Sequence, residues 1–156
     1  MNSASPDRFG SCYSAQMSDS GNKYRFLPHT ADVKVQAEGS TKEEAFANAA
    51  MALKEAICGA IKVGTTVRKR IDVEGVDEKA LLCGFLEEFL YLLDAERFLL
   101  SEVRKVNLSD GRVVAEALGG DAGKYDFRNS VKAVTYSEMF IRNEGSRWLV
   151  QFVLDV

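Results

Sequence analysis

The chain has 156 residues, 46% of them hydrophobic and 28% charged, with a formal net charge of −3. That length and composition suit one globular domain with a single core, and the slight acidity excludes a global positive field for gripping nucleic-acid phosphates. No apolar run approaches the roughly 18 residues of a membrane span, and the two prolines in the whole chain argue against a linker-rich architecture.

Residues 1–22 are rich in Ser, Gly, Asp and Asn, carry no apolar period, and lack the basic and apolar regions of a secretory signal. They read as a disordered N-terminal tail. Residues 23–156 read as one folded domain.

Tyr24 to Leu27 is a short lead-in strand. After the turn at Pro28 to Ala31, Asp32 opens a second strand in which Val33, Val35 and Ala37 face one way and Lys34, Gln36 and Glu38 the other. Gly39 ends it. Ser40 with Glu43 has the spacing of a capping box for a helix running to about Cys58. Its apolar stripe is Phe46, Ala50, Leu53 and Ile57, flanked by alanines that let it lie close on a sheet, and Gly59 stops it.

Val67 to Gly75 alternates again, with Val67, Ile71 and Val73 inward. The basic run Arg68-Lys69-Arg70 falls on this strand, so alternate residues point to opposite faces and a solvated edge is the expected reading. Asp77 caps a second helix, Glu78 to about Asp94. Leu81, Leu82, Phe85, Leu86, Phe89, Leu92 and Leu93 cover almost its whole circumference, so it must be buried on more than one side.

Strands dominate the rest. Phe98 to Leu108 leads through the hairpin signal Ser109-Asp110-Gly111 into Arg112 to Leu118. Gly119 to Gly123 reads as a flexible loop. Val131 to Arg142 and Arg147 to Asp155 are the last two strands, with Trp148, Val150, Phe152 and Leu154 on one face. The fold class is α+β: a largely antiparallel or mixed β-sheet with two helices packed on one face, in a single domain. Cys12, Cys58 and Cys83 show no CxxC spacing and read as free thiols in a reducing cytoplasm.

Catalytic groups are scarce. No Ser or Cys sits in a nucleophile motif, and no Gly-rich loop opens a helix as a nucleotide cradle does. One constellation stands out. If the Asp32 strand and the final strand are antiparallel neighbours, Asp32 approaches Asp155, and the terminal carboxylate of Val156 adds a third anionic group. Carboxylates that close repel unless a proton or cation intervenes, and oxygen-only donors select Mg²⁺, Ca²⁺ or Mn²⁺. His29, the single histidine, is open to three readings: metal contact, orientation of Asp32, or packing alone.

These residues also carry a resemblance. Leu27-Pro28-His29-Thr30-Ala31-Asp32, the run Gly39 to Phe46, the stretch from Leu81-Leu82 to Leu90-Tyr91, the run Val131 to Ser137, and the ending Val153-Leu154-Asp155-Val156 resemble the archease family, in order and spacing, over about Tyr24 to Val156. The resemblance implies a small, cytoplasmic, non-catalytic accessory protein for the GTP-dependent RNA ligase of tRNA splicing and RNA repair. That ligase joins 2′,3′-cyclic phosphate or 3′-phosphate ends to 5′-hydroxyl ends, and the accessory protein promotes its guanylylation and multiple turnover. RNA contact is then indirect, through the ligase, and no membrane is involved. It also implies that the metal-binding aspartates fall on Asp32 and Asp155, with Val156 completing the site. Lys132 matches a lysine of a later motif, as a candidate partner or nucleotide contact, and His29 is a candidate supporting residue. Many members have Asp where this chain has Pro28, so no ligand falls there. Two other function classes compete: a chaperone-like protein-binding module, which the apolar second helix suggests, and a stand-alone metal-dependent phosphohydrolase, which needs a general base and phosphate donors at the same aspartates.

Overall fold

A computed structural model describes residues 23–29 and 31–156; the expected disordered tail, Cys12 and Thr30 lie outside the described residues. In chain order the elements are β1 (Tyr24–Leu27), β2 (Val33–Gly39), α1 (Lys42–Cys58), β3 (Val67–Glu74), α2 (Glu78–Glu96), β4 (Phe98–Ser109), β5 (Arg112–Asp121), a 3₁₀ turn (Ala122–Lys124), β6 (Ala133–Asn143) and β7 (Trp148–Asp155). Every strand pairing is antiparallel, as expected, but the strands divide into two sheets, ordered β1-β2-β7-β6 and β3-β5-β4.

The helices join the two sheets. α1 lies on β2 and β4, and α2 lies on β6 and β3. α1 can approach closely because its buried side includes Ala45, Ala49, Ala50, Ala52 and Ala56. The Phe46 and Phe85 rings meet between the helices at 5.7 Å, and Phe85 meets Phe89 edge-on at 5.2 Å. As its composition requires, α2 is buried along Leu81, Leu82, Phe85, Leu86, Phe89 and Leu92. Cys58 and Cys83 are both buried, and Cys83 is a free thiol.

Local chemistry sets the boundaries. Helix α1 starts one residue later than expected. Thr41 is its N-cap and accepts from the Glu44 N–H, while the Glu44 carboxylate reaches back to the Ser40 N–H at 2.7 Å. Asp77 caps α2 through the Ala80 N–H, as its position predicts. The β4–β5 hairpin turns on Asp110 and Gly111, both with positive φ (50° and 71°), the twist that two-residue hairpins favour.

The expected Gly119–Gly123 loop is a correction. Gly119, Gly120 and Asp121 continue β5, and the chain then enters the 3₁₀ turn. Glycine is needed at 119 for proximity, because a Cβ there would sit 2.1 Å from the Leu99 carbonyl oxygen.

Candidate metal site

The two ends of the folded domain meet. β2 pairs antiparallel with β7 from Val33 opposite Leu154 to Gly39 opposite Trp148. One further step of that register sets Asp32 across from Asp155. Ala31, with φ at 67°, turns the chain immediately before Asp32; a residue with a Cβ rarely takes that left-handed conformation. On the other side of β7, Ala133 pairs with Asp155, and the Lys132 N–H donates to the Asp155 carbonyl at 2.7 Å. Asp155 is exposed, Val156 half-buried, and the Asp32 carboxylate 35% exposed.

Lys132 is exposed and faces a second feature. It lines an open cleft of about 430 Å³ with Glu87, Leu90, Tyr91, Asp94, Asn129 and Val131, between α2 and the start of β6. The lysine expected as a partner contact is therefore joined by its backbone to the Asp155 strand end.

His29 packs against the same end of β2. Its Nδ1 lies 3.6 Å from Asp32 Oδ2, and its Nε2 lies 3.0 Å from Glu138 Oε2. The other Glu138 oxygen is 2.6 Å from Lys34 Nζ. These hydrogen bonds, from Lys34 first and His29 second, hold the Glu138 carboxyl well below its usual range, at about 2. Buried His29 Nδ1 is the one buried side-chain nitrogen or oxygen among the described residues with no hydrogen-bond partner.

Glu138 was not legible as a site residue. It belongs to a wide bulge in β6: Thr135 pairs with Val153 and Phe140 with Gln151, so four residues, Tyr136 to Met139, stand against Phe152 alone. The bulge lies over the outer face of β7. Gln151 Nε2 donates to the Glu138 carbonyl at 2.7 Å, and Gln36 Nε2 donates to Gln151 Oε1 at 2.8 Å. Gln151 is thereby buried although it faces away from the helices, and Val153 beside it is fully buried. One sequence signal was available. Val134 and Ile141 both belong to the apolar core side, yet they are an odd number of residues apart, which strict alternation forbids.

The donor set suits a hard cation in kind. Among the described residues no three His, Cys, Asp or Glu side chains gather closely enough to hold a metal by themselves. The expected set contains only two such side chains, Asp32 and Asp155, with main-chain oxygen at Val156 as the third donor. The unpartnered His29 nitrogen stands beside one of them.

Comparison with known proteins follows the same residues. The model of the archease protein family matches residues 24–156. A protein archease from Methanosarcina barkeri is 36% identical over 149 residues, covering 90% of this chain and 100% of that protein. Another, from Pyrobaculum neutrophilum, is 42% identical over 141 residues, covering 85% and 95%. The solution structure of Methanobacterium thermoautotrophicum protein 1598 is similar with a TM-score of 0.74 at 29% identity, covering 86% of this chain and 99% of that one. The crystal structure of a Thermotoga maritima archease, described there as a possible chaperone, has a TM-score of 0.60 and covers 83% and 94%; at 14% identity it speaks to the fold alone.

Proposed function

The chain belongs to the archease family, and on that footing we propose that it is a non-catalytic activator of a GTP-dependent RNA ligase in tRNA splicing and RNA repair. It promotes guanylylation and multiple turnover of the ligase from a divalent-metal site, works in the cytoplasm, and touches RNA only through its partner. The observation that supports this reading is the β2–β7 register, in which Val33 lies opposite Leu154, the neighbours of Asp32 and Asp155.

Asp32, Asp155 and a main-chain oxygen of Val156 would hold a Ca²⁺, Mg²⁺ or Mn²⁺ ion, and such an ion supplies charge neutralisation beside a triphosphate. The protein's own part is positional. On this reading the strand pairing, with Val33 opposite Leu154, brings the two aspartates to one rim, and a cation would be favoured wherever their carboxylates approach. Lys132, attached to the same strand end and lining the neighbouring cleft, offers the partner a cationic contact. No nucleophile is required of this chain, since the guanylylated residue belongs to the ligase.

The chaperone-like alternative draws on the apolar α2, but that surface is enclosed: Leu82, Phe85 and Leu86 are fully buried. No helix of the described residues is long and apolar enough to cross a membrane. The test is guanylylation of the purified ligase under limiting GTP and divalent ion, with the wild-type chain and with folded Asp32→Ala and Asp155→Ala variants. Stimulation by the wild type alone supports the reading; undiminished stimulation by both variants overturns it.

A further inference from the structure

Four strand edges border the two sheets: β1 and β6 in one, β3 and β4 in the other. A bare edge is a template for another strand, and three of these four are blunted. β1 has only four residues. β4 is interrupted by two register shifts, with Lys105 at φ 56° in the second. β6 carries its bulge, and the Val134 N–H is already given to the Glu87 carboxylate at 2.9 Å. β3 is the exception. Its eight residues pair with β5 in unbroken register from Val67 opposite Gly119 to Glu74 opposite Arg112. Among the described residues no backbone group of another element bonds to its outward side.

The order of charges along β3 shows what fits there. Ile71 and Val73 point toward the helices, so Arg68, Arg70, Asp72 and Glu74 share the opposite face, all exposed. Two cations followed by two anions complement themselves when the strand is reversed. With two copies of β3 antiparallel and Ile71 opposite Ile71 on a twofold axis, Arg68 faces the second copy's Glu74 and Arg70 faces its Asp72. Every pair on that face is then of opposite charge, and symmetry doubles each. Slipping the register by two residues sets Arg70 against Arg70, or Asp72 against Asp72. Slipping it by one turns the charged face of one copy to the helix side of the other. The charges that guard a bare edge therefore leave one register open. A polyanion or an acidic peptide would meet Asp72 and Glu74 as well as the arginines, so neither matches the whole edge.

The side chains are free to make these contacts. Arg68 and Arg70 are 73% and 67% exposed even with Glu116 and Asp72 beside them, and a guanidinium can serve a second carboxylate. Lys69, on the helix side, is drawn back to Glu96 of α2 at 2.6 Å, which compensates its charge within one copy. We propose that β3 is a self-association edge: two copies of this chain pair antiparallel through Val67–Glu74, centred on Ile71, and join their three-stranded sheets into one of six strands. The inference is independent of the metal-site reading, since the strands that carry Asp32 and Asp155 belong to the other sheet.

Sedimentation equilibrium of the full chain, with Arg68→Glu and Glu74→Lys variants, tests it. The expected result is a concentration-dependent wild-type dimer, weakened about tenfold or more by either substitution, because each sets like charges opposite one another twice per dimer. An equimolar mixture of the two variants should restore association, since every facing pair is again of opposite charge; mixing would not cure a misfolded variant. Amide exchange along β3 should slow as concentration rises, while that along β1 should not. A wild-type chain that stays monomeric up to about 1 mM overturns the proposal. So does a dimer that both variants leave unchanged, or a mixture of folded variants that stays monomeric.

Discussion

Glu138 on β6 is ion-paired with Lys34 on β2 at 2.6 Å although β7 runs between their strands. The contact exists because the Tyr136–Met139 bulge leans across β7, with Glu138 in a left-handed conformation at φ 56°. It ties three strands together on the face away from the helices, beside the Asp32–Asp155 rim.

That clamp has a pH signature in the metal-free protein. Lys34 and His29 lower the Glu138 carboxyl from 4.5 to about 2, and the Arg112 guanidinium lowers Asp72 on the other sheet from 3.8 to about 2. Both folded-state values are depressed, so both groups add stability that is present above their unfolded values and is lost as pH falls toward 2. Denaturant unfolding should give nearly constant contributions from these groups between pH 7 and about 5, with a decline below. Glu138→Gln and Asp72→Asn should each flatten part of that acid limb. Carboxyl NMR titrations with midpoints at ordinary values would contradict the assignment.

The core makes a sharper demand on stability. Phe85 is fully buried and its ring contacts both Phe46 and Phe89. Phe85→Ala should lower unfolding free energy by about 3–5 kcal/mol, against about 1 kcal/mol for removing the α2 cap with Asp77→Ala. Equilibrium denaturation of the two variants checks the order as well as the sizes.

Gly119→Ala is expected to act by collision. The added methyl would meet the Leu99 carbonyl oxygen and the Phe98 ring, forcing β4 and β5 apart at a cost of about 1–3 kcal/mol or more. Since only proximity demands glycine there, amide exchange should rise along the β4–β5 pairing near Leu99 and leave the β2–β7 pairing protected.

How far these features were legible follows from which forces set them. β1 was readable to its ends, and β2 to within one residue, because a half-buried strand writes its period directly into the sequence. The α1 cap was ambiguous by one residue since Ser40/Glu43 and Thr41/Glu44 both have capping-box spacing, and only the fold shows Glu44 reaching back to Ser40. The antiparallel pairing of the β2 start with the β7 end was inferable from parity and strand order. Gly119 and Gly120 were misread as loop because glycine demanded by a close approach looks the same in sequence as glycine demanded by a turn. Glu138 was missed because a bulge without Gly or Pro leaves only a break in parity, between Val134 and Ile141.

The Asp155 carboxylate makes a separate prediction. Asp155→Asn should remove one negative charge and lower divalent-ion affinity by about tenfold or more, while leaving the Lys132 N–H bond to the Asp155 carbonyl intact. Calorimetric titration with Ca²⁺ and Mn²⁺ measures it; unchanged affinity would remove Asp155 from the donor set.

The central claim is that the two strand ends share one divalent ion. Anomalous diffraction from crystals soaked in Mn²⁺ tests it most directly. The account predicts a single strong peak in contact with both the Asp32 and Asp155 carboxylates, absent in an Asp32→Asn, Asp155→Asn double variant. A well-ordered map at saturating Mn²⁺ with no density between those carboxylates would contradict it.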